Sequence, residues 1–176
     1  MITIKKNPEQ FERKPDWLKI KLNTSENYKD MKNLMHENNL NTVCEEARCP
    51  NIYECWDHRT ATVMILGDLC TRSCGFCSVK TGKPLKVDDN EPVRVAKLVQ
   101  SLSLRHVVIT SVDRDDLIND YGSKIWNKTI NTIRQYSPEC TIEVLTPDFK
   151  GYAPSLDMVF SAKPDIFSHN IECVER

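Results

Sequence analysis

The alternation of strand-like and helix-like segments after Thr60 constrains the fold of this chain most. Apolar runs rich in β-branched residues, typical of strands, occur at TATVMILG, HVVITSV, TIEVL and DIFSH. Helical periodicity separates them, in EPVRVAKLVQSL, in SKIWNKTINTIRQY and, more weakly, from Ser155 to Ala162. Strands that alternate with helices predict a parallel sheet joined by right-handed crossovers. The sequence therefore predicts an α/β fold.

Residues 1–59 lack this alternation and predict an irregular, polar N-terminal extension with one helix. Thr24 or Ser25 can cap that helix. Its apolar face, which we interpret as a packing surface, then carries Tyr28, Met31, Leu34 and Met35. The predicted organisation is an extension over residues 1–59 followed by an α/β unit over residues 60–176.

Composition narrows the classes of function. The chain has 176 residues, of which 28% are charged and 40% hydrophobic, as in ordinary globular proteins. Its net charge of -1 gives no support for a nucleic acid partner. No apolar run reaches the roughly 18 residues that a membrane span needs, and MITIKKNPEQFERKPDW lacks the apolar core of a signal peptide. We therefore expect a cytoplasmic protein that binds neither nucleic acid nor membranes.

Cysteine usage is the anomaly in this composition. The chain has eight cysteines, and six of them lie between Cys44 and Cys77. Thiols stay reduced in the cytoplasm, so a disulfide framework is the weaker interpretation. Clustered, reduced cysteines are typical of metal sites instead.

One group of thiols lies in GDLCTRSCGFC, directly after the first predicted strand, and consists of Cys70, Cys74 and Cys77. A structural zinc site needs four ligands, so three thiols from one loop leave one position open. His58 or His106 could supply a fourth zinc ligand. Alternatively, an iron–sulfur cube held by three thiolates keeps one iron free for another ligand. The spacing alone leaves both interpretations open.

Polar side chains at the ends of the later strands predict a site beside this loop. They are Thr110, Ser111, Asp113, Glu143, His169 and Asn170. Ligands of parallel α/β folds bind at the carboxyl ends of the strands, where the cysteine loop also lies. We therefore expect these side chains and the loop to face one shared space.

The C-x3-C-x2-C spacing, with Phe76 before the third cysteine, resembles the signature of the radical S-adenosylmethionine superfamily. A second triplet, Cys44, Cys49 and Cys55, lies upstream in CEEARCPNIYECW. With TATVMILGDLCTRSCGFC, NEPVRVA, VVITSVDRDDL, TPDF and HNIE, the two triplets resemble the lipoyl synthase family from about Asn41 to Arg176.

This resemblance implies a fold and a set of cofactors. The implied fold is an incomplete, TIM-type β/α barrel with parallel strands. The implied cofactors are two 4Fe-4S clusters and S-adenosyl-L-methionine. Cys70, Cys74 and Cys77 would hold the cluster that yields a 5′-deoxyadenosyl radical, and Cys44, Cys49 and Cys55 the auxiliary cluster that supplies sulfur. The cosubstrate would lie against several side chains: Phe76 near the adenine, Thr110 and Ser111 near the methionine end, and Glu143 or Asn170 near the ribose.

The resemblance also implies a reaction and partners. The reaction is the radical insertion of two sulfur atoms into an octanoyl chain, giving a protein-bound lipoyl group. A saturated chain offers acid–base catalysis nothing to act on, so the cofactors carry the chemistry. The partners would be an electron donor protein and an octanoylated lipoyl carrier, such as the glycine cleavage H protein or the E2 component of a 2-oxoacid dehydrogenase. The alternatives are another radical enzyme with an auxiliary cluster, for sulfur insertion or methylthiolation, or a zinc-binding module.

The sequence departs from the family pattern in three ways. Tyr121 precedes a single Gly122 where the family usually has paired glycines. Cys140 and Cys173 lie outside both triplets and are assigned no ligand role. The C-terminal RSSY segment, whose serine completes the auxiliary site in the family, is absent, and the predicted strands are fewer than in the superfamily's barrels. We therefore expect an N-terminal fragment that is inactive alone in forming the lipoyl product.

Overall fold

A computed structural model describes residue 15 and residues 24–171 of the chain, so Cys173 lies outside the described residues. The helices in this part are α1 (Glu26–Glu37), α2 (Val43–Glu46), α3 (Ile52–Asp57), α4 (Glu91–Ser101), α5 (Ser123–Tyr136) and α6 (Ala153–Ser161). The strands are β1 (Asn41–Thr42), β2 (Thr62–Ile65), β3 (Leu69–Cys70), β4 (Lys80–Thr81), β5 (His106–Ser111), β6 (Thr141–Leu145) and β7 (Ile166–Ser168). A short 3-10 helix spans Phe149–Gly151.

Five strands form one sheet in the order β1-β2-β5-β6-β7. β2, β5, β6 and β7 run parallel, which confirms the predicted α/β class. β1 lies at the edge and is antiparallel to β2, where Asn41 pairs with Met64. The sequence did not predict β1, because two residues are too few to show a strand's alternation. β3 and β4 form a separate two-stranded pair around the cysteine loop.

The two faces of the sheet have different surroundings. One face carries buried side chains of the central strands, namely Val107, Ile109, Ile142 and Val144, which belong to one core with helices α4 and α5. Successive side chains of a strand point to opposite faces. Val108, Thr110 and Leu145 therefore lie on the other face, which lines the cavity described below.

Helix α5 has the bounds that the sequence predicted. Trp126, Ile130 and Ile133 recur at helical spacing and are fully buried, each contributing about 1.5–3 kcal/mol through burial. Gly122 precedes the helix with a φ of 85°, in the left-handed region. A Cβ at this position would lie 2.5 Å from Leu66 Cδ1. Only glycine, which has no Cβ, therefore lets the backbone come this close to Leu66.

The extension differs from its prediction in one respect. α1 begins as predicted, with Ser25 Oγ accepting the Tyr28 N–H at 3.2 Å. Met31 and Met35 are fully buried in the same core as the sheet, which confirms the packing surface. However, α2 and α3 follow α1 before residue 60, so the expectation of a single helix was wrong. Helices of four and six residues are too short to give a periodic signal. The boundary between residues 59 and 60 stays a prediction.

Within the described residues, none of the helices has the length and apolar character needed to cross a membrane.

Candidate functional site

A cavity of about 470 Å³ lies at the carboxyl ends of β5, β6 and β7. The cysteine loop and the strand ends together supply its wall, which includes Cys70, Arg72, Cys74, Phe76, Cys77, Thr110, Ser111, Asp113, Thr146, Asp148, His169 and Asn170. The structure therefore brings the three loop cysteines together with all the predicted strand-end side chains except Glu143. This is the sheet edge at which parallel α/β folds bind ligands.

Glu143 lies within β6, two residues before Leu145, and does not line this cavity. Its carboxylate bonds to two neighbouring strands: Oε1 accepts the Ser168 hydroxyl at 3.0 Å, and Oε2 lies 3.2 Å from His106 Nε2. Both oxygens of Glu143 are thus engaged within the sheet. Its role beside the ribose stays a prediction.

Two hydroxyl groups of the cavity-lining residues are buried without a hydrogen-bond partner in the described structure, Ser111 Oγ and Thr146 Oγ1. Thr110 Oγ1, in contrast, donates to the Leu145 carbonyl at 2.9 Å. A buried polar group without a partner costs about 1–3 kcal/mol.

The cysteine loop presents its thiols on an open segment. Cys70 is half-buried, Cys74 and Cys77 are exposed, and Phe76 exposes 66% of its surface although it lines the cavity. The Arg72 N–H donates to Cys70 Sγ at 3.4 Å. Exposed aromatic surface beside a cavity is typical of a binding site. The predicted contact of Phe76 with the adenine requires such an exposed ring.

Arg72 joins the cysteine loop to the ends of two strands. Its Nε and Nη2 donate to both oxygens of Asp115 at 2.9 Å. Its Nη1 and Nη2 donate to both oxygens of Asp148 at 2.9 and 2.8 Å. The guanidinium lowers the pKa of the Asp148 carboxyl to about 2 and also lowers the pKa of Asp115. The sequence analysis missed these residues, although Asp148 lies in TPDF, directly after the third predicted strand.

A second attachment of the loop involves Thr71 and the chain after β5. The Thr71 N–H and hydroxyl both donate to the Asp113 carbonyl, at 3.1 and 2.9 Å. The Thr71 hydroxyl also accepts the Asp115 N–H at 3.0 Å. Burial raises the pKa of the Asp113 side chain, and the charge of Arg72 opposes that rise. The ITSVDRDD segment thus holds the loop, besides contributing residues to the cavity.

The turn between β2 and the loop is held by Glu91, in the first turn of α4. Leu66 and Gly67 adopt left-handed conformations, with φ of 69° and 96°. Glu91 Oε2 accepts the Leu66 N–H at 2.8 Å. Burial of Glu91 raises its pKa, and the nearby Leu66 and Gly67 N–H groups oppose the rise. On the other side, Arg114 Nη1 donates to the Leu66 carbonyl at 3.2 Å.

Replacing Glu91 with alanine is expected to lower the free energy of unfolding by about 2 kcal/mol. The substitution leaves the buried Leu66 N–H without its partner, and a buried unpaired group costs about 1–3 kcal/mol. Urea denaturation followed by circular dichroism measures the change. Glu139→Ala, at an exposed position, is the control and should change the unfolding free energy little. Equal values for the two variants would contradict the role of Glu91.

The upstream triplet is also brought together, by α2, α3 and the turn between them. Cys44 is buried in α2, Cys55 lies half-buried in α3, and the Cys49 N–H donates to the Cys44 carbonyl at 3.0 Å. Burial raises the pKa of the Cys55 thiol, and the nearby Cys44 and Cys49 thiols raise it further. Val43 and Ala47, which flank Cys44, line the cavity. The two triplets thus lie on neighbouring parts of one site.

Zinc and iron, the two metals that the sequence left open, differ in how well they suit the two groups of thiols. In the part of the chain that the structure describes, no three His, Cys, Asp or Glu side chains converge on the position of one metal ion. Thiolates of an iron–sulfur cube bind different irons and need not converge on one point. His106, a proposed fourth zinc ligand, lies at the amino end of β5, beside Glu143 and away from the loop. The two groups of three thiols fit iron–sulfur clusters, and the ligand role of each cysteine stays a prediction.

Comparisons with known proteins agree with the predicted resemblance. Residues 2–49 match the model of the N-terminal domain of lipoyl synthase of the radical SAM family, so the resemblance begins before Asn41. Lipoyl synthases of Staphylococcus aureus strains JH9, Newman and Mu3 are each 56% identical over 169 residues, 96% of this chain and 55% of theirs. The chain thus spans about half the length of the curated relatives that it matches. It belongs to the lipoyl synthase family.

Proposed function

We propose that this chain supplies the cofactor-binding part of a radical SAM sulfurtransferase, a lipoyl synthase. The reaction inserts two sulfur atoms into the octanoyl chain of a lipoyl carrier protein and gives a protein-bound lipoyl group. The observation that carries the proposal is the cavity at the carboxyl ends of the strands, whose wall includes Cys70, Cys74 and Cys77. The 56% identity to lipoyl synthases supports this reaction over the others of the superfamily.

The proposed cofactors are two 4Fe-4S clusters and S-adenosyl-L-methionine. Cys70, Cys74 and Cys77 would hold one cluster, and Cys44, Cys49 and Cys55 the other. When bound, these groups supply a radical that removes hydrogen from a saturated carbon, together with the sulfur that replaces it. The chain itself contributes the two sets of thiolate ligands and a shared cavity between the sheet and the loop.

The cavity wall would hold and orient the cosubstrate. We assign the adenine to the exposed face of Phe76 and the methionine end to Thr110 and Ser111. Thr110 and Ser111 both line the cavity, which supports this assignment. Asn170, which lines the cavity, is better placed for the ribose than Glu143, whose carboxylate oxygens already bond to His106 and Ser168.

The proposed fold is part of a TIM-type β/α barrel. Two features of the described residues support this proposal. The four parallel strands follow chain order across the sheet, as in such barrels. Their carboxyl ends carry the cavity, which is where barrel enzymes place their active sites.

The proposed partners follow from the reaction. They are an octanoylated carrier, such as the glycine cleavage H protein or the E2 component of a 2-oxoacid dehydrogenase, and a protein that donates electrons. We place the reaction in the cytoplasm, where the exposed Cys74 and Cys77 would stay reduced before cluster assembly.

Anaerobic reconstitution of the purified chain with iron and sulfide tests this proposal. We expect two four-iron clusters per chain, a brown colour with broad visible absorption, and a change in the electron paramagnetic resonance spectrum on adding S-adenosyl-L-methionine. The change is expected because the cosubstrate binds the iron that has no cysteine ligand. A colourless protein that binds zinc instead would contradict the proposal. Clusters whose spectrum does not change on adding S-adenosyl-L-methionine would contradict the assignment of the cavity as the cosubstrate site.

A further inference from the structure

We propose that Arg72 is a positioning residue, which fixes the cysteine loop (residues 70–77) on the cavity rim before a cluster binds. The proposal rests on the proposed function in one respect, namely that this loop holds a cluster. The claim that Arg72 holds the loop in place applies to the metal-free chain and can be tested there.

Arg72 uses most of its hydrogen-bond donors on two carboxylates. A guanidinium has five N–H donors in a rigid fork, and Arg72 directs four donations to Asp115 and Asp148, all at 2.8–2.9 Å. Both pairs are bidentate, the geometry in which arginine–carboxylate pairs are strongest. Arg72 lies between Cys70 and Cys74, so this fixed point is inside the segment whose cysteines would bind metal.

The two carboxylates that Arg72 binds come from different strand ends. Asp115 follows β5 and Asp148 follows β6, so Arg72 ties the loop to two adjacent strands of the sheet. Asp148 is 76 residues from Arg72 along the chain. A contact that closes so long a segment has to overcome a loop-closure entropy, and two bidentate bonds provide the compensation.

The rest of the cysteine loop is open to solvent. Residues 73–78 are all exposed to solvent. On the amino side the loop is held by Thr71, bonded to Asp113, and on the carboxyl side by the Gly82 N–H, which donates to the Cys70 carbonyl at 3.0 Å. Arg72 is the attachment nearest to the exposed stretch. Without it, the positions of Cys74 and Cys77 relative to the cavity wall would vary.

The chemistry of the contact requires arginine. A lysine ammonium is a point charge and does not form two parallel bonds to each of two carboxylates. An Arg72→Lys variant should therefore behave like Arg72→Gln and should not restore the position of the loop. This outcome separates a geometric role from a role of charge alone.

The experiment compares Arg72→Gln, Arg72→Lys, Asp148→Asn and the double variant Arg72→Gln/Asp148→Asn with the parent chain. Lys150→Gln is the matched control, because Lys150 Nζ lies 3.8 Å from Asp115 but outside the cysteine loop. Hydrogen exchange of residues 70–82 in the metal-free chain is the first measurement. We expect roughly tenfold faster exchange in Arg72→Gln and Arg72→Lys, as local opening becomes easier, and parent-like exchange in Lys150→Gln. Residues coupled in one contact give non-additive effects, so the double variant should exchange no faster than Arg72→Gln.

The second measurement is the spectrum after reconstitution. In Arg72→Gln we expect the upstream cysteines to load as in the parent, while the spectral response to S-adenosyl-L-methionine is lost or broadened. Asp148 is half-exposed, so Asp148→Asn keeps the test available should Arg72→Gln fail to fold. Parent-like exchange and a parent-like spectrum in the Arg72 variants would overturn the proposal. A parent chain that loads no cluster on Cys70, Cys74 and Cys77 would instead contradict the proposed function, and the exchange measurement would still decide the role of Arg72.

Discussion

Replacing Cys74 with alanine is expected to abolish the release of 5′-deoxyadenosine from S-adenosyl-L-methionine by the reconstituted chain. Two thiolates, Cys70 and Cys77, would remain to hold a cluster that must keep its open iron facing the cavity. A misplacement of reacting groups by ~1 Å can cost roughly a hundredfold in rate, and two thiolates would not fix the position of a cluster that three normally hold. Chromatography of the products after addition of dithionite measures the release.

Cys140→Ala is the control for this prediction. Cys140 belongs to neither triplet; its thiol is buried just before β6, where its Sγ is 3.7 Å from the Thr141 carbonyl. Its removal should lower stability slightly and leave the release of 5′-deoxyadenosine unchanged. Release at the parent rate by Cys74→Ala would refute the assignment of the loop as the radical-generating site.

The regular elements of the fold were predictable because their signals are local. The strand pattern of HVVITSV and the helical spacing of SKIWNKTINTIRQY are each complete within about a dozen residues. β5 and α5 accordingly lie where the sequence placed them. β1, α2 and α3 were not predicted, because they are only two, four and six residues long. A strand of two residues shows no alternation, and a helix of four or six residues has fewer than two turns. Their positions depend on packing against the sheet.

The site was predictable where a general rule of the fold applies. The rule that ligands bind at the carboxyl ends of parallel strands correctly placed Thr110, Ser111 and Asn170 on the cavity wall. It misplaced Glu143, because this residue pairs with Val108 inside the sheet, two residues before β6 ends at Leu145. The sequence alone did not show whether Glu143 lies inside the strand or at its carboxyl end.

The contacts that hold the site together have no local signal. Arg72 reaches Asp148 across 76 residues, and Glu91 reaches Leu66 across 25. Charged residues on loops are usually solvated, so the sequence gives no reason to pair these ones. Only the folded sheet, which brings the ends of β2, β5 and β6 together, makes the pairs possible.

Changing Cys44, Cys49 and Cys55 together to alanine is expected to separate two activities that depend on the two triplets. The release of 5′-deoxyadenosine should continue, because Cys70, Cys74 and Cys77 lie on a different loop, which Arg72 and Thr71 attach to the sheet. The iron content should fall by about half, as expected when one of two equal clusters is lost. In a full-length lipoyl synthase that carries the same substitutions, lipoyl formation should disappear, since the proposed sulfur source is gone.

The triple substitution can act in two ways, by destabilising the fold or by removing cluster ligands, and the experiment has to separate these effects. Cys44 is buried beside the core, so its replacement alone can disturb the packing of α2. Cys49→Ala, at a half-buried position in the turn after α2, removes one thiol with less disturbance and should cause the same loss of the auxiliary cluster. Mass spectrometry of the carrier protein detects the added sulfur, and circular dichroism checks the fold. Undiminished lipoyl formation by a folded triple variant would refute the role of this triplet as the sulfur source, whereas a parallel loss of 5′-deoxyadenosine release would show that the two triplets do not act independently.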